Sequence, residues 1–285
     1  MKTGVTIQNA LAEATAALAG SELKQARLEA GSLLGHVLNR DRTFMLAHAE
    51  HVLDSDLLVR FQSLVVRRAA GEPLQYLTGQ QEFFKLDFEV TPEVLIPRPE
   101  SEALVEAALE LLPKDQPSRI ADIGTGSGCL AISILHDLPN ARGIATDISA
   151  AALKVARRNA VLHSVAERLD LVESDLLSGV EPSEQFDLVV SNPPYIPDGD
   201  FDSLQPEVKR EPRSALAGGS DGLDIVRRLL REAPARMRTR GHLVFEFGFG
   251  QAELLLNLID GKAWDLIEVR NDLQGIPRIM LLRRI

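Results

Sequence analysis

The sequence of 285 residues contains a single cysteine, Cys129, so no disulfide bond can form within the chain. It has no apolar run close to the roughly 20 residues that a membrane-spanning helix needs. Its six histidines show no metal-ligand spacing with carboxylates or with the cysteine. The first residues predict an amphipathic helix rather than a signal peptide. These absences lead us to expect a cytoplasmic protein with no membrane contact and no metal.

Basic residues are in deficit, with 31 of them against 41 acidic residues and a net charge of −10. Residues 1–75 contain eight of each sign, so the rest of the chain carries the whole acidic excess. Nonspecific affinity for polyphosphate comes from Lys and Arg displacing counterions. We therefore expect no direct nucleic-acid partner, whereas a basic protein partner would be tolerated.

Residues 1–72 carry apolar side chains at helical spacing, and no strand pattern is present. Ser21, Asp41 and Asp54 are placed to cap helices within this segment. Each predicted helix is too short to be stable alone. The segment is therefore predicted to form a small helical bundle domain.

Residues 73–102 have a different character. Apolar residues alternate with polar ones from Phe84 to Val90, which predicts a strand or hairpin. Prolines at 92, 97 and 99 then stiffen an extended segment. We interpret 73–102 as a structured linker into the second domain.

Residues 103–285 alternate strand-like and helical patterns, with no internal repeat. The strand-like runs are 119–124, 142–148, 169–174, 186–192 and 241–248, and helical patterns cover 149–162 and 222–237. Short apolar strands alternating with helices predict an α/β domain with a Rossmann-like, mainly parallel sheet. The end of the chain predicts two closing strands, the last of them antiparallel.

The stretch "ADIGTGSGCL" places Gly124, Gly126 and Gly128 between a predicted strand and a helix start. Glycines here permit positive φ and let backbone N–H groups approach a ligand. Asp147 ends the next strand, where a carboxylate can accept hydrogen bonds from ribose hydroxyls. A nicotinamide site requires G-x-G-x-x-G, but the spacing is G-x-G-x-G. The pattern favours S-adenosyl-L-methionine over a dinucleotide, with a tight turn lacking any ligand as the alternative.

Asp175 follows the third predicted strand. By position it could accept a hydrogen bond from an adenine amino group, with Leu176 packed on the ring. Capping a helix N-terminus is an equally weighted alternative for Asp175.

The stretch "FDLVVSNPPYIP" ends a buried strand in Asn192, Pro193, Pro194 and Tyr195. Methylation of a planar amide or amine nitrogen requires acceptors that hold its N–H groups and favour the charge distribution of the transition state. The Asn192 side-chain oxygen and the Pro193 carbonyl could supply them, and proline brings no competing donor. Tyr195 offers a face to the planar group and a cation–π contact to a sulfonium methyl. A stiffened strand exit without chemistry is the alternative.

The ordered combination of "DIGTGSG", the acid at 147 and "NPPY" resembles the class I S-adenosyl-L-methionine-dependent methyltransferases. The segments "QYLTGQQEFF", "VLIPRPESE", "SNPPYIP" and "EPRSALAGGSDGLDIVRRLL" narrow the resemblance to the HemK/PrmC family of release-factor glutamine methyltransferases. The similarity runs from about Ala26 to the C-terminus. It implies N5-methylation of the glutamine in the Gly-Gly-Gln motif of peptide-chain release factors, with S-adenosyl-L-homocysteine as the second product.

The resemblance also implies roles for individual residues and for the first domain. Asn192, Pro193, Pro194 and Tyr195 would form the catalytic and substrate-binding motif. Cofactor binding would fall to Gly124, Thr125, Gly126, Ser127, Gly128, Asp147, Asp175, Leu176 and Asn192. The helical domain would help to dock the release factor. Arg98 and Glu100 would order the cofactor site or brace the linker, and we favour bracing.

Three other functions compete with this interpretation. A DNA or RNA amino-methyltransferase would use the same motif on a flipped base, but the acidic domain argues against it. A methyltransferase for a ribosomal-protein glutamine would share the chemistry and differ only in docking. A nonenzymatic scaffold or a nicotinamide oxidoreductase would bind NAD(P) instead of S-adenosyl-L-methionine.

Overall fold

The computed structural model describes residues 4–20, 25–272 and 274–285. Within them, five α-helices form the first structural unit. They are α1 (Ile7–Ala19), α2 (Ala26–Leu38), α3 (Arg42–Ala47), α4 (Ser55–Ala69) and α5 (Leu74–Thr78). The unit comprises Met1–Gln80 together with Gln205–Arg210. Its core includes the fully buried side chains Ile7, Leu18, Leu33, Leu34 and Phe61. The helical character predicted for this part of the chain is confirmed.

The predicted caps of these helices have different outcomes. Asp41 caps α3, and its carboxylate accepts a hydrogen bond from Phe44 N at 2.7 Å. Asp54 occupies the N-cap position of α4 but makes no side-chain cap bond. Ser21 lies outside the described residues.

The segment Gln205–Arg210 joins the helical unit through Arg68, whose side chain is 2% exposed. The Arg68 guanidinium donates to Glu29 at 2.5 Å and to Glu207 at 2.6 Å. It also donates to the carbonyl of Glu72 at 3.1 Å. A buried Arg is stable only when its donors are satisfied in this way.

A two-stranded hairpin follows, formed by β1 (Gln80–Phe83) and β2 (Leu86–Glu89). Phe84 and Lys85 connect the strands with φ of 49° and 61°, the backbone sign that a tight hairpin turn requires. The hairpin alternative of the prediction is confirmed, and Phe84 lies in its turn. Phe83 and Phe88 carry the buried face of the hairpin.

A seven-stranded sheet forms the centre of the second unit, which comprises Gln81–Leu204 and Glu211–Ile285. Its strands are β3 (Arg119–Ile123), β4 (Arg142–Asp147), β5 (Leu169–Glu173), β6 (Phe186–Ser191), β7 (Met237–Glu246), β8 (Trp264–Asn271) and β9 (Pro277–Arg284). The order is β5-β4-β3-β6-β7-β9-β8, and β3 to β7 pair in parallel. Strand β9 is antiparallel to both of its neighbours. The mainly parallel sheet and the antiparallel last strand are confirmed.

Helices cover both faces of this sheet. They are α6 (Glu102–Leu111), α7 (Cys129–Asp137), α8 (Ala150–Leu162), α9 (Asp224–Glu232) and α10 (Ala252–Leu256). Leu104, Leu135 and Ala160 from α6, α7 and α8 share one apolar cluster with residues of the sheet. Val226 and Leu255 from α9 and α10 belong to a second cluster. The two clusters are the layers expected for a sheet buried on both sides.

Two boundaries differ from the sequence prediction. The helix predicted over 222–237 covers only Asp224–Glu232, and a 3-10 turn over Ala233–Arg236 follows it. Pro234 lies in this turn, and proline cannot donate to a helix interior. The strand predicted to start at 241 starts at Met237, which pairs with Phe186 across a local register shift. Among the described residues, no helix is both long and apolar enough to cross a lipid bilayer.

Candidate active site

The candidate site lies where the strand order of the sheet reverses. Strand β3 has β4 on one side and β6 on the other. The strands that follow β3 are therefore added first on one side of it and then on the other. In open α/β sheets, ligands bind beyond the carboxyl ends of strands at such a switch point. The glycine loop follows β3, Asp147 ends β4 and Asn192 follows β6. The topology therefore gathers the three predicted motifs at one edge.

A cavity of about 360 Å³ opens at this edge, a size typical of small-molecule sites. The predicted site residues that line it are Gly124, Gly126, Asp147, Asp175, Leu176, Asn192, Pro193 and Pro194. Thr125, Ser127, Gly128 and Tyr195 do not line it. Residues of the cavity wall that the sequence reading did not single out include Glu93, Val94, Leu95, Ser174, Pro212, Ser214 and Arg228.

The three glycines of the loop have positive φ but different surroundings. Gly124 and Gly126 have φ of 72° and 55°, and a Cβ built on either would meet open space. Gly128 begins α7 with φ of 85°, and a Cβ there would lie 2.8 Å from Ile132 Cδ1. Gly124 and Gly126 thus leave backbone accessible at the cavity, whereas Gly128 lets α7 pack closely.

Thr125 and Ser127 are buried, and their hydrogen bonds to Asp122 and Asn159 fix the conformation of the loop. The Thr125 hydroxyl donates to Asp122 Oδ2 at 2.7 Å, and Ala131 N donates to the same oxygen at 3.2 Å. Burial raises the pKa of the Asp122 carboxyl to about 6, and the negative charge of Asp147 adds to that rise. The Ser127 carbonyl accepts a hydrogen bond from Asn159 Nδ2 at 2.9 Å.

Asp147 fixes the loop to the end of β4. Its Oδ2 accepts a hydrogen bond from Gly126 N and its Oδ1 one from Ser149 N, each at 2.9 Å. Burial raises the pKa of this carboxyl, against the lowering effect of these backbone donors. The backbone N–H of Ile148 donates to the same carboxylate. A carboxylate has about four acceptor positions, so one remains for a ligand.

Asp175 and Leu176 form the far wall of the cavity. Asp175 is exposed and pairs with Arg228 Nη2 at 2.9 Å. A turn follows Asp175, so this residue does not cap a helix in the described structure. Leu176 is buried and has a φ of 52°, an uncommon conformation for leucine, and strained residues of this kind cluster at functional sites.

The Asn192 side chain is held by partners from two distant segments. Asn192 Nδ2 donates to Ser101 Oγ at 2.8 Å, and Ser101 Oγ donates to Glu246 Oε2 at 2.5 Å. Tyr195 contacts the same Glu246 carboxylate through a side-chain hydrogen bond. Burial, followed by the negative charge of Glu246, raises the pKa of the Tyr195 phenol, which therefore stays protonated at neutral pH.

Gln251 fixes the backbone of the same corner. Its Nε2 donates to the carbonyls of Tyr195 at 3.0 Å and of Asp221 at 3.2 Å, and its Oε1 accepts from Gly248 N at 2.7 Å. Gly222 permits the close approach, because a Cβ at this residue would lie 2.2 Å from the Tyr195 carbonyl oxygen.

Glu211 braces the cavity wall and is almost fully buried. It accepts a hydrogen bond from Ile96 N at 3.0 Å and pairs with Arg98. This pairing agrees with the bracing role favoured for Arg98. Glu100 is exposed.

Ser101, Glu211, Glu246 and Gln251 were not identified from the sequence. A signal did exist for Glu246, since a carboxylate inside the apolar run "HLVFEFG" is costly unless it has a specific partner. Ser101 and Glu211 lie inside the stretches that carry the family resemblance.

Comparisons with known proteins support the same family. Residues 9–79 match the model of the PrmC N-terminal domain, and residues 101–211 match the methyltransferase small domain. The chain is 46% identical to a release factor glutamine methyltransferase of Moorella thermoacetica over 98% of this chain and 99% of that protein. It is 39% identical to one of Koribacter versatilis, with the same coverage.

A solved structure shares the fold. It is the T. thermophilus 16S rRNA N2 G1207 methyltransferase in complex with AdoMet and guanosine, with a TM-score of 0.53 and 19% identity. The match covers 72% of this chain and 50% of that one. At this identity the likeness concerns the architecture of the methyltransferase sheet and its helices.

Proposed function

The chain belongs to the family of release factor glutamine methyltransferases, and from that premise we propose that it methylates the glutamine of the Gly-Gly-Gln motif in a peptide-chain release factor. The methyl group comes from S-adenosyl-L-methionine and is transferred to the side-chain amide nitrogen, N5. The observation that carries this proposal is that Asn192 lines the same cavity as Gly124, Gly126 and Asp147.

The residues of the cavity fit the cofactor. Gly124 and Gly126 leave space for a ligand against the backbone, and Asp147 offers its remaining acceptor position to a ribose hydroxyl. Asp175 and Leu176 are assigned to the adenine end, with an exposed carboxylate beside an apolar side chain. The architectural relative in complex with AdoMet is consistent with this assignment. When bound, S-adenosyl-L-methionine supplies an electrophilic methyl group on a sulfonium sulfur.

Asn192 and Pro193 hold the substrate amide in this proposal. The lone pair of an amide nitrogen is delocalised, so the nitrogen is a weak nucleophile. Acceptors at the Asn192 Oδ1 and the Pro193 carbonyl bind its two N–H groups and orient the nitrogen in line with the methyl carbon. With S-adenosyl-L-methionine held by the glycine loop and Asp147, methyl transfer would form the N–C bond and break the S–C bond. The nitrogen would pass one proton to water, and S-adenosyl-L-homocysteine would be the second product. Alignment of this kind can lower a barrier by several kcal/mol, on the order of 7–11 in ideal intramolecular cases.

Tyr195 stands beside this centre as a neutral phenol. Its ring is assigned to the planar amide of the substrate, and its hydroxyl is occupied by Glu246. The proposal assigns no metal to the reaction, because a displacement at a sulfonium methyl needs alignment rather than a Lewis acid. It places the enzyme in the cytoplasm and assigns substrate docking to the helical unit.

Mass spectrometry of a release factor tests this function directly. The factor is incubated with the enzyme and S-adenosyl-L-methionine, and its peptides are then analysed. We expect one added methyl group on the glutamine of Gly-Gly-Gln and none on a factor in which that glutamine is alanine. An unmodified factor in the presence of bound cofactor would contradict the proposal, as would methylation at another residue.

A further inference from the structure

Three side chains form a hydrogen-bonded chain behind Asn192. Ser101 and Glu246 are each only 3% exposed, and they come from the segment before α6 and the end of β7. Asn192 Nδ2 lies 2.8 Å from Ser101 Oγ, and Ser101 Oγ lies 2.5 Å from Glu246 Oε2. Neither Ser101 nor Glu246 lines the cavity. The two residues therefore act on a substrate only through Asn192 or Tyr195.

The direction of each hydrogen bond follows from the chemistry of the groups. Ser101 Oγ lies 2.5 Å from Glu246 Oε2, and in its charged form Glu246 only accepts, so the single proton of the Ser101 hydroxyl then points to Glu246. The lone pairs of Ser101 Oγ then face Asn192 and require a donor from it. Nδ2 satisfies this requirement, whereas a rotated amide would place Oδ1 against a hydroxyl that has no proton to give.

The Glu246 carboxylate is supported from several sides. Burial raises the pKa of the Glu246 carboxyl, and the negative charge of Glu100 adds to that rise. The hydroxyls of Ser101 and Tyr195, which donate to this carboxylate, and the nearby Arg278 cation act in the opposite direction and favour its charged form. The same carboxylate thus holds two residues of the Asn-Pro-Pro-Tyr motif: Asn192, which lines the cavity, through Ser101, and Tyr195, which lies outside its lining, directly. A buried acceptor shared in this way favours one arrangement of both side chains.

We propose that Ser101 and Glu246 are positioning residues that select the amide orientation of Asn192 with Oδ1 available to the substrate nitrogen. This inference rests on the proposed function, because it gives Asn192 Oδ1 the task of accepting from the glutamine amide. Loss of the Ser101 hydroxyl allows the Asn192 amide to rotate. A rotated amide would present donors to the N–H groups of the substrate, which repels them.

A matched pair of variants tests the role of the hydroxyl. Ser101→Thr and Ser101→Val introduce side chains of nearly equal size, and only threonine keeps the hydroxyl. We expect the turnover number of Ser101→Val to fall on the order of 100-fold below that of Ser101→Thr, the scale of a misplaced reacting group. Cofactor affinity, measured by calorimetry, should be the same in both variants. Equal turnover of the two variants would overturn the proposal.

A double variant distinguishes positioning through Asn192 from a separate structural effect. Ser101→Ala should lower turnover, and Ser101→Ala combined with Asn192→Ala should be no slower than Asn192→Ala alone, because both changes remove the same function. Losses that multiply would overturn the proposal. Ser133→Ala is the matched control, since Ser133 is fully buried and its hydroxyl has no hydrogen-bond partner among the described residues.

These experiments also separate the inference from the function on which it rests. If wild-type enzyme leaves the release factor unmodified, the proposed function fails. If wild-type enzyme methylates it and the threonine and valine variants turn over equally, the function stands and the positioning role fails.

Discussion

The backbone N–H of Gly126 donates a 2.9 Å hydrogen bond to the Oδ2 oxygen of Asp147. This bond joins the glycine loop after β3 to the end of the neighbouring strand β4. Asp147 therefore has a structural task in addition to the proposed contact with ribose. The backbone conformation at Gly126 and one of the carboxylates in the cavity wall therefore depend on the same side chain.

Asp147→Ala is expected to weaken S-adenosyl-L-methionine binding by about 10- to 100-fold. Hydrogen bonds to a charged group are worth about 1.5–3 kcal/mol, and alanine removes both the acceptors and the support of the loop. Isothermal titration calorimetry measures the change. Asp170→Ala, at an exposed position on β5, is the control for loss of one acidic charge. An unchanged affinity of Asp147→Ala would show that the ribose assignment is wrong.

Asn192→Ala should lower methyl transfer on the order of 100-fold or more while cofactor affinity changes little. The amide chiefly meets the substrate, and removal of one preorganised polar contact to a transition state has effects of this size. Turnover with a release factor measures the loss of methyl transfer, and calorimetry with S-adenosyl-L-methionine measures the cofactor affinity. If methyl transfer and cofactor affinity fell by the same factor, Asn192 would act mainly in cofactor binding instead.

Asp122→Asn should change how stability depends on pH. The pKa of Asp122 is raised by burial from 3.8 to about 6, so charging this carboxyl costs stability as pH rises through that window. Asparagine carries no such cost. The unfolding free energy of the variant relative to wild type should therefore increase by about 2 kcal/mol between pH 4 and pH 7. Urea denaturation at both pH values measures it, and a pH-independent difference would contradict the buried charge.

Gly222→Ala should destabilise the protein more than Gly250→Ala. The two glycines have nearly the same φ, 78° and 79°, so alanine suffers similar backbone strain at either position. Only at Gly222 would the new Cβ meet other atoms, 2.2 Å from the Tyr195 carbonyl oxygen. We expect Gly222→Ala to lose turnover as well, because the clash displaces the corner of Tyr195. Similar unfolding free energies and turnover for both variants would argue against this close approach.

Arg68→Ala should cost about 3 kcal/mol or more of unfolding free energy, because it leaves Glu29 and Glu207 without their partner. The neighbouring Arg67→Ala is a matched control. Arg67 is half exposed and pairs with Glu72, and exposed ion pairs contribute about 1 kcal/mol or less. Chemical denaturation of both variants followed by circular dichroism gives the comparison. Equal losses would contradict the buried role of Arg68.

Local patterns predicted much of the fold. The parallel strands, the α8 helix, the Asp41 cap of α3 and the antiparallel last strand follow from periodicity and capping chemistry, which act over a few residues. The alternating pattern predicted a strand or hairpin without showing that Phe84 and Lys85 form its turn, and the helical pattern extended the last crossover helix past Pro234. In both regions the turn geometry depends on contacts that periodicity does not report.

The sequence by itself determined the family, the methyltransferase chemistry and the motifs that gather at the switch point, because each motif is contiguous and its chemistry is local. Only the tertiary structure decided which distant residues hydrogen-bond to the functional and buried side chains. Ser101 lies 91 positions from Asn192 in the chain, and Glu207 lies 139 positions from Arg68. Such pairs form when packed layers bring buried polar groups within about 3 Å, and no spacing along the chain encodes that distance.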